Sequence, residues 1–290
     1  MAEEILRIAP DQVKKLIKQG KIEIVSTTSA VSRKPESGSS FEFSQGLFEL
    51  DFFGPRDVEK VFGLKIAPEN VPQIPFSQVE LEAAKSLDQK LILRVDRAPD
   101  AKPLTMRKME QLLQPKFKAA GSGKVLFDTT WYKNEDFFTK QTPTYRWALT
   151  GKSALPDTLG KNYLEQTVEL SGYVARDLFP GGIPIDYQEA LNEFAVRVPI
   201  SLSSPDAAQK LAAFKLNQML RPSAVEALYD LLITFQTKGE RTLENEWAWT
   251  NTRASGGRLV GVGYFNSAGV DVCRLSPDDS YSDLGVCPSR

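Results

Sequence analysis

Both cysteines of this 290-residue chain, Cys273 and Cys287, fall in its closing stretch GVDVCRLSPDDSYSDLGVCPSR, residues 269–290. A cysteine pair does oxidative or nucleophilic chemistry when a positive microenvironment makes a thiolate. The usual helper for that is missing, because the chain contains no histidine. Its absence removes the commonest general base, the Ser-His and Cys-His nucleophile pairs and the commonest zinc ligand. A disulfide is conceivable, although two cysteines in a chain without a signal peptide are more often free. Asp278, Asp279 and Asp283 have the composition of a calcium cluster and read more simply as turn formers. Arg253 and Arg258 suit either an anion or solvent. Trp247 and Trp249 suit a stacked ligand or, better, a packed core. Tyr264 and Tyr281 are the strongest contact candidates, since tyrosine offers area and a hydrogen bond at low entropy cost.

The elements that must hold these residues follow from periodicity. Residues 2–19 carry Ile5, Leu6, Ile8, Val13, Leu16 and Ile17 at amphipathic helical spacing. KIEIVSTTSAV predicts a strand, SRKPESGSS a flexible connection, and FEFSQGLFELDFF a second strand or hairpin. Helices are expected over FSQVELEAAKSLDQ and LTMRKMEQLLQPKF, with the buried strand KLILRV between them. AAGSGK looks like a phosphate loop but lacks the first glycine of that motif and precedes an apolar, strand-like VLF. YRWALTGK reads as a strand able to pair with the last strand of the chain. It is followed by helices over NYLEQTVELSGYVARDLF, DYQEALNEFAVRV, SPDAAQKLAAFKLNQML and RPSAVEALYDLLITFQ. Ser204, Pro205 and Asp206 form a helix start, and Ser223 with Glu226 a capping box. EWAWTNTR, GRLVGVGYF, GVDVCRL and LGVCPSR are short strands. The class is α+β with an antiparallel sheet, divided into an α+β region over 1–139 and a second unit over 140–290.

Thirty-six basic and 37 acidic residues give a net charge of −1, with no basic run interleaved with aromatics, so nucleic acid is not an expected partner. The first ten residues, MAEEILRIAP, lack the apolar core of a signal peptide, and no stretch is apolar enough to span a membrane. Membrane insertion is therefore not expected, and a cytoplasmic location is the default, with display on a cell surface or virus particle left open. No cofactor or metal is called for.

Arg221-Pro222-Ser223-x-x-Glu226-Ala227-x-Tyr229 resembles the helix start of the formylglycine-generating-enzyme type of C-type lectin fold. Trp249-Thr250-x-Thr252-Arg253 resembles its W-[ST]-x-[ST] strand, and Leu284-Gly285-Val286-x-x-Ser289-Arg290 its terminal strand. Within that superfamily the chain is most similar to the variable proteins of diversity-generating retroelements of archaea and small-genome bacteria. The resemblance covers residues 140–290 and implies a lectin-like domain whose 3′-encoded face is rewritten by adenine-specific mutagenesis to bind ligands. Asparagine codons diversified in that way never yield Lys, Glu, Gln, Met or Trp. Those five types number 63 in residues 1–249 and none in the 41 residues from Thr250 to Arg290. Strands and turns are themselves poor in four of the five, which is the plain alternative. Cysteine is reachable, so Cys273 and Cys287 can be products of mutagenesis.

The resulting expectation is recognition rather than catalysis, of an unknown protein or cell-surface ligand, by a variable region over about 250–290. The expected contact residues are Tyr264, Asn266, Ser267, Asp271, Cys273, Arg274, Leu275, Ser276, Tyr281, Ser282, Cys287 and Pro288. Small, polar and aromatic side chains of this kind suit a protein surface better than a deep pocket. The alternatives are an oxidative enzyme on the same fold, using the cysteine pair, and a non-diversified scaffold or virion protein.

Overall fold

The computed structural model describes residues 40–197, 202, 204 and 206–290. The helix expected at 2–19, the strand after it and nearly all of SRKPESGSS lie outside these residues.

The architecture is α+β. Residues 41–53, expected to be a strand, form helix α1 (Phe41–Phe48), a short 3₁₀ turn and only a two-residue strand β1 (Phe52–Phe53). The apolar alternation of FEF was misleading: Ser40 accepts from the Phe43 amide at 3.1 Å and caps a helix instead. Helices α2 (Pro55–Phe62) and α3 (Gln78–Ser86) lead into β2 (Gln89–Arg94), every residue of which is buried. Then come α4 (Met106–Ala119), the short α5 (Asp136–Thr139) and β3 (Arg146–Gly151). The first sheet has the order β1-β2-β3, parallel at the first pair and antiparallel at the second.

Helix α6 (Tyr163–Tyr173) has a full capping box from Asn162 and Glu165 and runs into a π-turn at Val174–Leu178, then α7 (Ile185–Arg197). The single helix expected after Ser204 is two, α8 (Ala207–Ala212) and α9 (Lys215–Leu220), and its N-cap is Asp206. The Ser204 hydroxyl donates to the Asp206 carboxylate rather than capping a backbone amide, and Pro205 lies outside the described residues. The break falls where Phe214 turns inward to meet Phe194 edge-on at 5.3 Å, and the Asn217 side-chain amide donates to the Leu211 carbonyl at 2.8 Å.

Helix α10 (Ala224–Lys238) is the spine. Ser223 and Glu226 make the expected box, Gly239 ends the helix in the left-handed region, and every residue from Ala224 to Thr234 is buried. A helix buried on every face must be covered on all sides, and α10 is, by β2, β5 and helices α2 and α4. The strands of the second sheet are β4 (Trp247–Arg253), β5 (Leu259–Asn266), β6 (Gly269–Leu275) and β7 (Leu284–Gly285), in the order β6-β5-β4-β7. One face, with Val260, Val262 and Val272, packs on α10. Part of the other, with Trp249, Leu259 and Leu284, packs on α6 through α9.

The expected pairing of the strand near 145–150 with the chain's last residues is present. Leu149 and Arg290 exchange two backbone hydrogen bonds of 2.9 Å, and Thr150 bridges Ser289 antiparallel. The core also runs straight through the 139/140 division, since Phe48, Leu113 and Phe137 share a cluster with Leu228, Val262 and Val272.

Candidate functional site

The β4–β5–β6 register decides which of the expected contact residues meet. Trp247, Gly263 and Asp271 form one cross-strand row, Trp249, Gly261 and Cys273 the next, and Leu259 pairs with Leu275. All project to the face away from α10, because side chains alternate along a strand. The Trp249–Leu259 end of that face is closed by helices, whereas the Trp247 end is half-exposed.

At the half-exposed end four side chains interlock. Gly263 has no side chain, so the Trp247 indole crosses over it and its Nε1 donates to Asp271 Oδ2 at 3.1 Å. A Cβ at Gly263 would stand 2.0 Å from the Glu246 carbonyl oxygen. Tyr264 sits at a register shift in β5 with φ of 45°, an uncommon conformation for a bulky residue. Its ring lies against Trp247, tilted by 43° with centroids 4.0 Å apart, and its hydroxyl donates to the Asp283 carboxylate. That hydrogen bond holds the Tyr264 phenol above its ordinary pKa. Burial pushes the Asp271 carboxyl up, against the pull of the Trp247 hydrogen bond. Tyr264 and Asp271 are therefore joined through Trp247, and Asp283 joins them through Tyr264.

The other expected residues divide into three places. Asn266 and Ser267 stand at the β5–β6 turn, where Asn266 Oδ1 accepts from the Ala268 amide at 2.8 Å. A strap from residues 123–131 holds this turn and the β6 edge. Val125 and Phe127 each share a 3.0 Å backbone bond with Val270, and Trp131 Nε1 donates to the Val272 carbonyl at 2.9 Å. This explains AAGSGK: Gly123 is left-handed (φ 90°), and a Cβ there would lie 1.8 Å from the Ser267 carbonyl oxygen. Arg274 points to the opposite side, exposed over the Trp131 ring at 5.2 Å. Leu275 packs partly into the helical cluster. The Ser276 amide donates to Asp279 Oδ2 at 2.7 Å, and Tyr281 and Ser282 are exposed on the turn before β7.

Cys287 and Pro288 are buried, which corrects their assignment as contact residues. Residues 286–290 lie against β3. There the Gly151 amide donates to the Pro288 carbonyl at 2.9 Å, and the Cys287 thiol lies 3.0 Å from the Gly151 carbonyl. Both cysteines are free thiols, Cys273 on β6 and Cys287 in the segment after β7. Burial pushes Cys273 up to about 12 and Cys287 up to about 11, which keeps the reactive thiolate scarce.

Trp249 is fully buried, edge-on to Tyr163 at 5.4 Å, while Trp247 is not, so the paired tryptophans divide between core and surface. Arg253 and Arg258 are exposed. Arg253 borders a cavity of about 550 Å³ with Trp131, Glu135 and Ser255, closed on one side by Ser255 donating twice to Glu135, at 2.9 and 2.5 Å. Asp279 and Asp283 serve the turn and the tyrosine, and no group of three metal-ligating side chains occurs among the described residues. No helix among the described residues is long and apolar enough to cross a membrane.

Sequence reasoning missed the role of Trp247, whose neighbour in the core made both indoles look structural. It also missed the strap around Trp131, which lies more than a hundred residues upstream of the strand it holds. Comparison with family models, curated proteins and solved structures finds no match to this chain.

Proposed function

We propose that this protein binds a protein or cell-surface ligand through its C-terminal face, and that the face is diversified by adenine-specific retroelement mutagenesis on a C-type lectin scaffold. The observation that carries the reading is compositional: Lys, Glu, Gln, Met and Trp are absent from all 41 residues after Trp249 and make up about a quarter of those before.

Three features of the fold support it. Tyr264 and Asn266 on β5, and Ser267, Tyr281 and Ser282 on the turns beside the strands, present exposed or half-exposed side chains, while Arg274 is exposed on the other side of β6. The strap from residues 123–131 and the pairing of β3 with residues 288–290 hold those strands by backbone contacts, which are indifferent to side-chain identity. The face also offers aromatic and short polar groups of the kind used in antibody loops. Buried protonated thiols favour binding over oxidative chemistry at the cysteine pair.

The test is the DNA itself. The gene's 3′ end should be followed by a near-copy that differs at adenines, beside a reverse transcriptase, and sister cells should vary within codons 250–290 alone. An invariant tail with no repeat would remove diversification and leave the scaffold and enzyme readings.

A further inference from the structure

A groove of about 1440 Å³ is lined by residues between Ser40 and Ile74 and by Thr237, Lys238 and Glu240, with none from β4–β6. Helix α1, the turn after it, the loop from Lys65 to Ile74 and the end of α10 form its walls. Phe41, Phe52, Ile66, Val71 and Ile74 give it an apolar lining, and Leu50 stands in it 80% exposed. A leucine so exposed beside other apolar groups marks a surface made to be covered. The rim is acidic. Glu42, Glu49, Glu59 and Glu240 face Arg56 and Lys65, while Lys238 is held by Asp51 at 2.6 Å.

Ser40, the first described residue, is itself part of the lining, so the chain enters the described fold at the groove. Preceding it is QVKKLIKQ, residues 12–19, in which Val13, Leu16 and Ile17 recur at i, i+3 and i+4 and Lys14, Lys15 and Lys18 fall between them. This segment has three positive charges and no negative one, against a rim of the opposite balance. The twenty residues from 20 to 39 can stretch about 3.3–3.6 Å each, so their length does not limit the reach.

We propose that residues 12–19 of this same chain dock in the groove, with Val13, Leu16 and Ile17 on its apolar lining and the lysines against the glutamates of the rim. The inference stands independently of the diversified face.

Hydrogen–deuterium exchange on the full chain tests it, comparing wild type with Leu50→Glu and with the charge reversal Glu42→Lys/Glu49→Lys. These side chains are exposed, so the core should survive the changes, and exchange in β2 serves as the control. Docking predicts that amides of residues 12–19 exchange at least tenfold more slowly than those of 32–39. Leu50→Glu should abolish that protection, the charge reversal should weaken it in a salt-dependent way, and β2 should stay unchanged. Protection that is absent in wild type, or indifferent to Leu50→Glu, would overturn the proposal. Protection that disappears on dilution would also overturn it, by showing that a second copy supplies the segment.

Discussion

Trp247 Nε1 donates to Asp271 Oδ2 at 3.1 Å across a row in which Gly263 leaves the way open. The donor lies just before the region poor in Lys, Glu, Gln, Met and Trp, and the acceptor lies within it. A frame residue and a tail residue are thus coupled. Asp271→Ala removes the acceptor and should cost about 1 kcal/mol in chemical denaturation, whereas Asp271→Asn, which keeps an oxygen, should cost less. The pH dependence has a definite sign. Burial raises the folded carboxyl above its ordinary 3.8, so its contribution to stability is full below 3.8 and lost as pH rises through the folded value. Tryptophan emission of the wild type should therefore titrate with a midpoint above 3.8, and Asp271→Asn should lose that transition. A midpoint at or below 3.8 would show that burial does not govern this group.

Exchange of several tail side chains at once separates contact from support. Simultaneous substitution of Ser267, Arg274, Tyr281 and Ser282 by other small or polar residues should move Tm by no more than about 2 °C, because exposed positions away from caps and strain are nearly neutral. Cys287→Tyr should behave differently. That site lies in the core against β3, and forcing a larger side chain into it should cost about 1–3 kcal/mol or more. Equal losses from the two experiments would mean that the exposed turn residues are structural.

The two glycines that let backbones touch make a sharper case. Gly263→Ala puts a methyl 2.0 Å from the Glu246 carbonyl oxygen, and Gly123→Ala puts one 1.8 Å from the Ser267 carbonyl oxygen at a φ that disfavours any Cβ. Neither neighbour is a flexible side-chain tip. Each substitution should destabilise by about 1–3 kcal/mol. Their local signatures should differ: Gly123→Ala should speed amide exchange at Val270, where the strap is bonded, and Gly263→Ala should do so at Trp247 and Tyr264.

Burial of the thiols is tested by alkylation. Native protein at about pH 8 should react with iodoacetamide far more slowly than unfolded protein at both Cys273 and Cys287, because folding pushes the two groups up to about 12 and about 11. A thiol that labels faster in the folded state than in the unfolded one would revive the oxidative reading.

Sequence periodicity carried the elements whose local and tertiary preferences agree. Helix α10 was legible because Ser223, Glu226 and the apolar run all point to one helix. The pairing of the chain's last residues with β3 followed from their order along the sequence. Where the two preferences diverged, the sequence misled. FEF alternates like a strand, but the Ser40 cap and the burial of Phe48 decide for helix. Ser204 looks like a cap but spends its hydroxyl on Asp206. The exposure of the tail residues was half legible for the same reason. Exposure at Ser267 and Tyr281 goes with turn chemistry, which is local, but Cys287 and Pro288 are buried by a strand more than 130 residues away. No local signal distinguishes a polar tail that is exposed from one that threads back into a core.

That threading is anchored by charge, and the anchor makes the last prediction. Arg94 is fully buried on β2. Its Nε donates to Asp230 Oδ1 on α10 at 3.0 Å, and its Nη2 to the Ser289 hydroxyl at 2.7 Å, with Glu226 3.4 Å from Nη1. One guanidinium therefore ties the first sheet, the spine helix and the chain's last residues. Removing the main counter-charge leaves the cation buried, and that cost exceeds the worth of the pair itself. Asp230→Ala should lose about 3–5 kcal/mol by urea denaturation. Ser289→Ala, which removes one neutral acceptor, should lose only about 1–3 kcal/mol. Replacing Arg94 together with Asp230 by apolar residues of similar volume should restore part of the stability lost in Asp230→Ala, the remainder being withheld because Glu226 loses its nearer counter-charge. If the double replacement is no better than the single one, the pair contributes more than mutual compensation, and the anchor rests on the arginine's bond to the chain's last residues.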